Sequence, residues 1–144
     1  MHHRHHHRAS HIEFTFRWRD HHHFHEHKGD FMQFSMLSTQ KVSVIGSPVN
    51  ASGGPSTATL SGTSYTSSDP TVFTVAADPS TPNGAIITGV GVGTATLTET
   101  ATATEPDGTT TEQIQGVATI VLTAAPPPPP PVAASLIFTF GTPA

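Results

Sequence analysis

All 11 histidines of this 144-residue chain lie before residue 28. In "DHHHFHEHKGD", His21, His23, His25 and His27 alternate. In an extended chain alternate side chains share a face, about 6.6–6.8 Å apart. Neutral imidazoles in such a row bind zinc or nickel well. A structural site also needs a rigid frame and partners that orient each ring. His-rich tracts bind divalent metal opportunistically without that frame. The sequence therefore offers an opportunistic zinc or nickel tract in a His/Arg-rich leader, residues 1–30, expected to lie outside the fold as a disordered or non-native segment. Met32 and Met36 stand close behind it as alternative starts.

Other chemistry is sparse. The chain has no cysteine, so a nucleophile would be Ser or Thr and would need a base, and every His is in the leader. Asp69, Asp78 and Asp107 sit in turn-forming sequences, where Asp is expected on backbone grounds. As calcium ligands they lack a D-x-D-x-D spacing. "GVGVGT" lacks the third glycine of a dinucleotide loop and precedes a strand pattern, not a helix. The expectation is a protein that is not an enzyme and holds no cofactor.

Charge narrows the partners. From residue 31 onward a single cation, Lys41, stands against six acids: Asp69, Asp78, Glu99, Glu105, Asp107 and Glu112. Such a region has no basic patch for nucleic acid or an anionic membrane. No stretch has the uninterrupted apolar core of a signal peptide, and none reaches the roughly 18 apolar residues of a membrane span. The expectation is a soluble chain with no recognisable export route and no membrane insertion.

The elements that would carry these residues read as strands. "QKVSVIG" places Val42 and Val44 on one face. "VNASGGPS" is a turn. "TATLSG" and "TSYTSSD" are short strands, "SSDPT" is a turn set by Asp69 and Pro70, and "TVFTVA" is a strand. After the loop "ADPSTPNG" and a short strand at Ile86 and Ile87, Gly89, Gly91 and Gly93 make a tight reversal. A long alternating strand follows, with Ala95, Leu97, Ala101 and Ala103 expected inward and Thr and Glu99 facing water. "EPDGTT" is a hairpin loop on Asp107 and Gly108, and "EQIQGVATIVLT" returns. Helical periodicity is nearly absent. About seven short strands between residues 31 and 125 predict an all-β, Ig-like sandwich.

Those residues carry a resemblance. "SYTSSDPTVFTV", "GAIITGVGVGTATLTETATAT" and "GVATIVLT", in that order, resemble the bacterial immunoglobulin-like domain, group 2, over residues 40 to 123 and best over 65 to 104. Tyr65 stands where that family often has Trp, and "AADPSTPNG" is longer than usual. The resemblance implies a non-enzymatic structural or adhesive module of a phage or prophage virion or of a bacterial surface protein, hence a virion or extracellular location. Its partners would be protein or carbohydrate surfaces, or neighbouring subunits. The alternative is a His-rich divalent-metal-binding protein.

Two alternating segments fall outside the expected sandwich. "IEFTFRW" puts Ile12, Phe14, Phe16 and Trp18 on one face, and could pair with a sheet edge of its own chain or a neighbour's. At the other end, Pro126–Pro131 form a polyproline spacer of roughly 19 Å at about 3.1 Å per residue. The tail that follows, residues 132–144, puts Leu136, Phe138 and Phe140 on one face as a candidate partner-binding strand.

Overall fold

Alternation of small or β-branched residues with threonine favours extended chain, and burying one face of each strand requires a second layer. In a computed structural model, residues 8–20, 23–29 and 32–131 are described, with side-chain placement for 8–17 and 32–131. The described residues form nine strands and no helix: β1 Ala9–Asp20, β2 His23–Gly29, β3 Gln33–Leu37, β4 Lys41–Asn50, β5 Thr59–Ser67, β6 Phe73–Ala77, β7 Gly84–Gly89, β8 Gly93–Thr104 and β9 Thr111–Thr123.

They make two sheets. One runs β2-β1-β4-β7-β6, the other β3-β9-β8-β5. Every pairing is antiparallel except β3 with β9, which is parallel from Gln33↔Thr119 to Leu37↔Thr123. The core between them holds Phe14, Phe16, Phe73, Ile87, Leu97, Ile120 and Leu122, all essentially without solvent contact. Each such side chain contributes roughly 1.5–3 kcal/mol on leaving water. Val42, Val44, Ala95, Leu97, Ala101 and Ala103 point inward as the alternation predicts.

The leader expectation requires correction. Residues 9–20 form β1, an interior strand paired with β4 from Ala9↔Asn50 to Arg17↔Ser43 and with β2 on its other side. Ile12, Phe14 and Phe16 are buried in the core. Phe16 stacks on Phe34 of β3 with ring centroids 4.4 Å apart. Three large apolar side chains on one face of a strand must be covered: β4 pairs the backbone, and the opposite sheet, through Phe34 of β3 and Gly116 of β9, covers the side chains. Residues 1–30 are therefore not a separate leader as a whole.

Two smaller differences follow from glycine. "TATLSG" and "TSYTSSD" belong to one strand, β5, with a register shift between Ser61 and Ser64. Gly62 sits in that bulge at φ 61°, a conformation glycine adopts without a Cβ penalty. The Gly89–Gly93 segment joins β7 to β8 across the two sheets rather than as a hairpin.

Phe16→Ala is expected to cost about 3–5 kcal/mol, the usual range for deleting a buried ring. Urea unfolding followed by far-ultraviolet circular dichroism measures it. A change below 1 kcal/mol would place β1 outside the core.

Candidate functional site

The alternation of β8 carries an ionisable group inward. Ala95, Leu97, Glu99, Ala101 and Ala103 share one parity and one face, and all are buried. The expectation that Glu99 faces water is wrong. The strand period places it between Leu97 and Ala101, and a one-residue register slip would expose the whole set. Glu99 has no solvent exposure, and neither carboxylate oxygen has a hydrogen-bond partner.

Space for it comes from glycine. A Cβ built on Gly46 of β4 would lie 2.0 Å from Glu99 Oε2 and 2.5 Å from Ile12 Cγ2. On β9, Gly116 is the register partner of Glu99. A Cβ there would lie 2.9 Å from Ile12 Cβ and 3.0 Å from Phe14 Cζ. The carboxyl thus occupies a slot floored by Gly46, with β1 laid beside it. Tyr65, the register partner of Glu99 on β5, closes another side. Its hydroxyl donates to the Asn83 carbonyl at 2.8 Å and accepts the Gly46 N–H at 3.2 Å.

Burial pushes the Glu99 carboxyl up to about 7, and the Tyr65 phenol opposes this only in part. The phenol's own proton is committed to Asn83. Burial, and then the charge of Glu99, push the phenol well above its ordinary range. Loss of water disfavours the charged form of each group.

The turn residues do what their sequence predicts. Asp69 Oδ1 accepts the Thr71 N–H at 2.9 Å and its hydroxyl at 2.7 Å, ahead of Pro70. These bonds hold its carboxyl below the usual range. Asp107 accepts the Thr110 hydroxyl and the N–H groups of Thr110 and Thr109, which bring it to about 2. Gly108 follows at φ 70° and donates its N–H to the Glu105 carbonyl. Asp78 Oδ1 accepts the Ser80 N–H at 2.8 Å. Each aspartate is engaged with its own turn. The Gly91 N–H donates to the Val72 carbonyl at 3.1 Å, and a Cβ on Gly91 would lie 2.7 Å from the Thr71 carbonyl oxygen. Gly93 has φ 156°, and a Cβ there would lie 2.9 Å from Val72 Cγ2.

For the histidines, β2 carries His23, His25 and His27 at alternate positions, in register with Asp20, Trp18 and Phe16. His21 lies outside the described residues. Among the described residues no group of three or more His, Cys, Asp or Glu is placed to hold a metal ion. Leu136, Phe138 and Phe140 also lie outside the described residues. At the bulge opening β1, Ser10 Oγ lies 2.8 Å from His11 Nδ1 and also reaches the Val49 carbonyl at 3.3 Å. This is an exposed tie between sequence neighbours.

Two open clefts follow strand edges. One is lined by Phe34, Met36, Leu37, Gln40, Lys41 and Thr123. The other, between β5 and β6, is lined by Tyr65, Val75, Asp78, Pro82 and Asn83 among others. Among the described residues no helix is long and apolar enough to cross a membrane. No family model matches the chain, and no curated protein matches it. Glu99, Tyr65, Gly46 and Gly116 escaped the reading of sequence as a site. The parity of β8 was the signal for Glu99. The glycines gave none, because their role depends on which strands face each other.

Glu99 makes stability depend on pH. Its folded pKa lies above its unfolded value of 4.5. Its contribution is full below about 4.5 and is lost as pH rises through 7, a fall on the order of 3 kcal/mol. Glu99→Gln is expected to abolish that fall, read as the urea midpoint at pH 4.5 and pH 8. Equal pH slopes in both proteins would show that Glu99 reaches water. Gly93→Val is expected to destabilise by about 1–3 kcal/mol by crowding Val72; an unchanged urea midpoint would refute the close approach.

Proposed function

We propose that this chain is an Ig-like sandwich module with a structural or adhesive role and no catalytic one. Strand order supports the topology. β4-β7-β6 and β9-β8-β5 follow the B-E-D and G-F-C orders of Ig-like sandwiches, with β1 in the place of strand A. The resemblance of residues 40 to 123 to the group 2 bacterial immunoglobulin-like domain agrees with that order.

The observation that carries the functional reading is the employment of the polar side chains. Asp69, Asp78 and Asp107 hold turns. Glu105 Oε1 accepts the Ala9 N–H at 2.8 Å and pins the start of β1. Glu99 is sealed between the sheets. Groups held in this way serve shape. The partners are a protein or carbohydrate surface, or neighbouring subunits, in a phage virion or at a bacterial surface.

A second reading rests on β2, whose three alternate histidines suit a row of imidazole ligands. Titration calorimetry with zinc separates the two. The structural reading expects weak, non-stoichiometric heat from the full chain, unchanged in thermal stability by metal. One tight site per chain, lost in the His23→Ala, His25→Ala, His27→Ala triple variant and raising the melting temperature, would favour the metal-binding reading.

A further inference from the structure

Two five-residue runs of this chain match in place: Ile12-Glu13-Phe14-Thr15-Phe16 and Leu136-Ile137-Phe138-Thr139-Phe140. The last three residues are identical, and the first is an aliphatic exchange. In β1 this run is the part that fills the fold. Ile12, Phe14, Thr15 and Phe16 are all buried. The second position differs, and there Glu13 is only half-buried.

The slot that receives the run has definite demands. Opposite it on β4 stand Pro48, Gly46 and Val44, the register partners of Ile12, Phe14 and Phe16. Gly46 and Gly116 leave room for the first aliphatic side chain and the first ring, and Phe34 stacks on the second ring. Whichever strand closes this slot must also cover the partnerless Glu99 carboxyl. That cost lowers the net worth of β1 where it lies. With β1 and β2 removed, β4-β7-β6 still faces β3-β9-β8-β5 around Phe73, Ile87, Leu97, Ile120 and Leu122.

We propose that Leu136–Phe140 of one copy occupies the β1 slot on β4 of a second copy, displacing that copy's own β1. Register argues for a second copy. A strand in this slot runs antiparallel to β4 and ends where Arg17 meets Ser43. β9 delivers the chain at that same end, because Thr123 pairs with Leu37, just before the turn into β4. To fill its own slot the tail would have to cross the sandwich and reverse. The exposed Pro126–Pro131 run has a reach of roughly 19 Å at about 3.1 Å per residue as polyproline II, enough to meet a neighbouring copy. Tail-to-slot exchange is head-to-tail, so it propagates into chains of copies unless a rotation closes a ring. This deepens the structural reading by naming its partner.

The absence of cysteine gives a clean test. In β1, Thr15 pairs with Ile45, so Thr139 of a second copy should meet the same residue. Two tagged forms of the full chain, one carrying Thr139→Cys and the other Ile45→Cys, are mixed and mildly oxidised. A disulfide-linked heterodimer is expected. A double variant, Thr15→Cys with Ile45→Cys, reports whether the slot geometry is right in a single chain. If that control cross-links and the mixture does not, the exchange is wrong. If Thr139→Cys and Ile45→Cys placed in one chain link only within it, the tail closes its own domain and the exchange is also wrong. Sedimentation velocity gives the second readout. The full chain should self-associate with rising concentration, and Phe138→Asp with Phe140→Asp should weaken this at least tenfold. A monomeric full chain that still binds a glycan or protein surface would overturn the exchange and leave the structural reading standing.

Discussion

The space between the two sheets has to be filled from both sides, and at Gly46 and Gly116 β4 and β9 bring no side chain of their own. Ile12 and Phe14 of β1 fill it instead. Close packing explains why this contact organises so much else. A void there would forfeit dispersion contacts on every lining atom. Any Cβ at the two glycines would collide with the strand that fills it. β1 is held in that place by its ladder to β4, by the Phe16–Phe34 stack across the sheets, and by the Ala9 N–H on Glu105. Three strands, β1, β4 and β9, are thus mutually dependent: shifting one by a residue would drive side chains into backbone.

Glu99 sets the opposing term. A carboxyl without partners between two sheets is expensive in its charged form and less so when protonated. A methyl group in its place would face the same glycine floor at no such cost. The acid therefore subtracts stability from the very region where β1 packs, and it subtracts more as pH rises through 7. Tyr65 does not rescue it. The phenol ties β4 to the β6–β7 loop through Gly46 and Asn83, and so holds the slot's wall in place while leaving the carboxyl unpaired.

Much of the sandwich was legible because strands and turns announce themselves locally. β4, β6, β7, β8 and β9 follow from period-two alternation, and the Asp69 and Asp107 turns follow from side chains that bond their own backbone. What was not legible is non-local. The apolar face of "IEFTF" is plain in the sequence, but nothing local says which edge covers it. The alternation marks a strand able to pair with a sheet edge, but its histidine-rich surroundings resemble a leader outside the fold, and its place beside β4 is set by residues about 30 positions away. The inward position of Glu99 was legible in principle. Its odd-numbered neighbours Leu97 and Ala101 are buried, and parity outranks polarity once a strand's register is fixed. The glycines between β7 and β8 announce a reversal, but which sheet receives β8 is non-local; in the fold the Val90 and Gly91 N–H groups both donate to the Val72 carbonyl at that crossing.

The arrangement also explains how a chain this poor in charge can keep its shape without a disulfide. Its long-range ties are ladders and packed rings; Asp69, Asp78 and Asp107 satisfy N–H groups that their turns would otherwise strand, Glu105 accepts the Ala9 N–H, and Glu99 has no partner. The surface ion pair of Arg8 with Glu112 at 3.7 Å adds little beside these. Interactions of this kind are insensitive to salt, and between about pH 4.5 and 7 one buried carboxyl, Glu99, ties the fold's stability to pH. That tie matters for the strand that covers it. Ladder bonds alone do not choose between two strands of equal length, since every backbone offers the same donors and acceptors. Choice comes from the side chains that enter the core. Here they are an aliphatic residue and two phenylalanines separated by threonine, a pattern this chain carries twice.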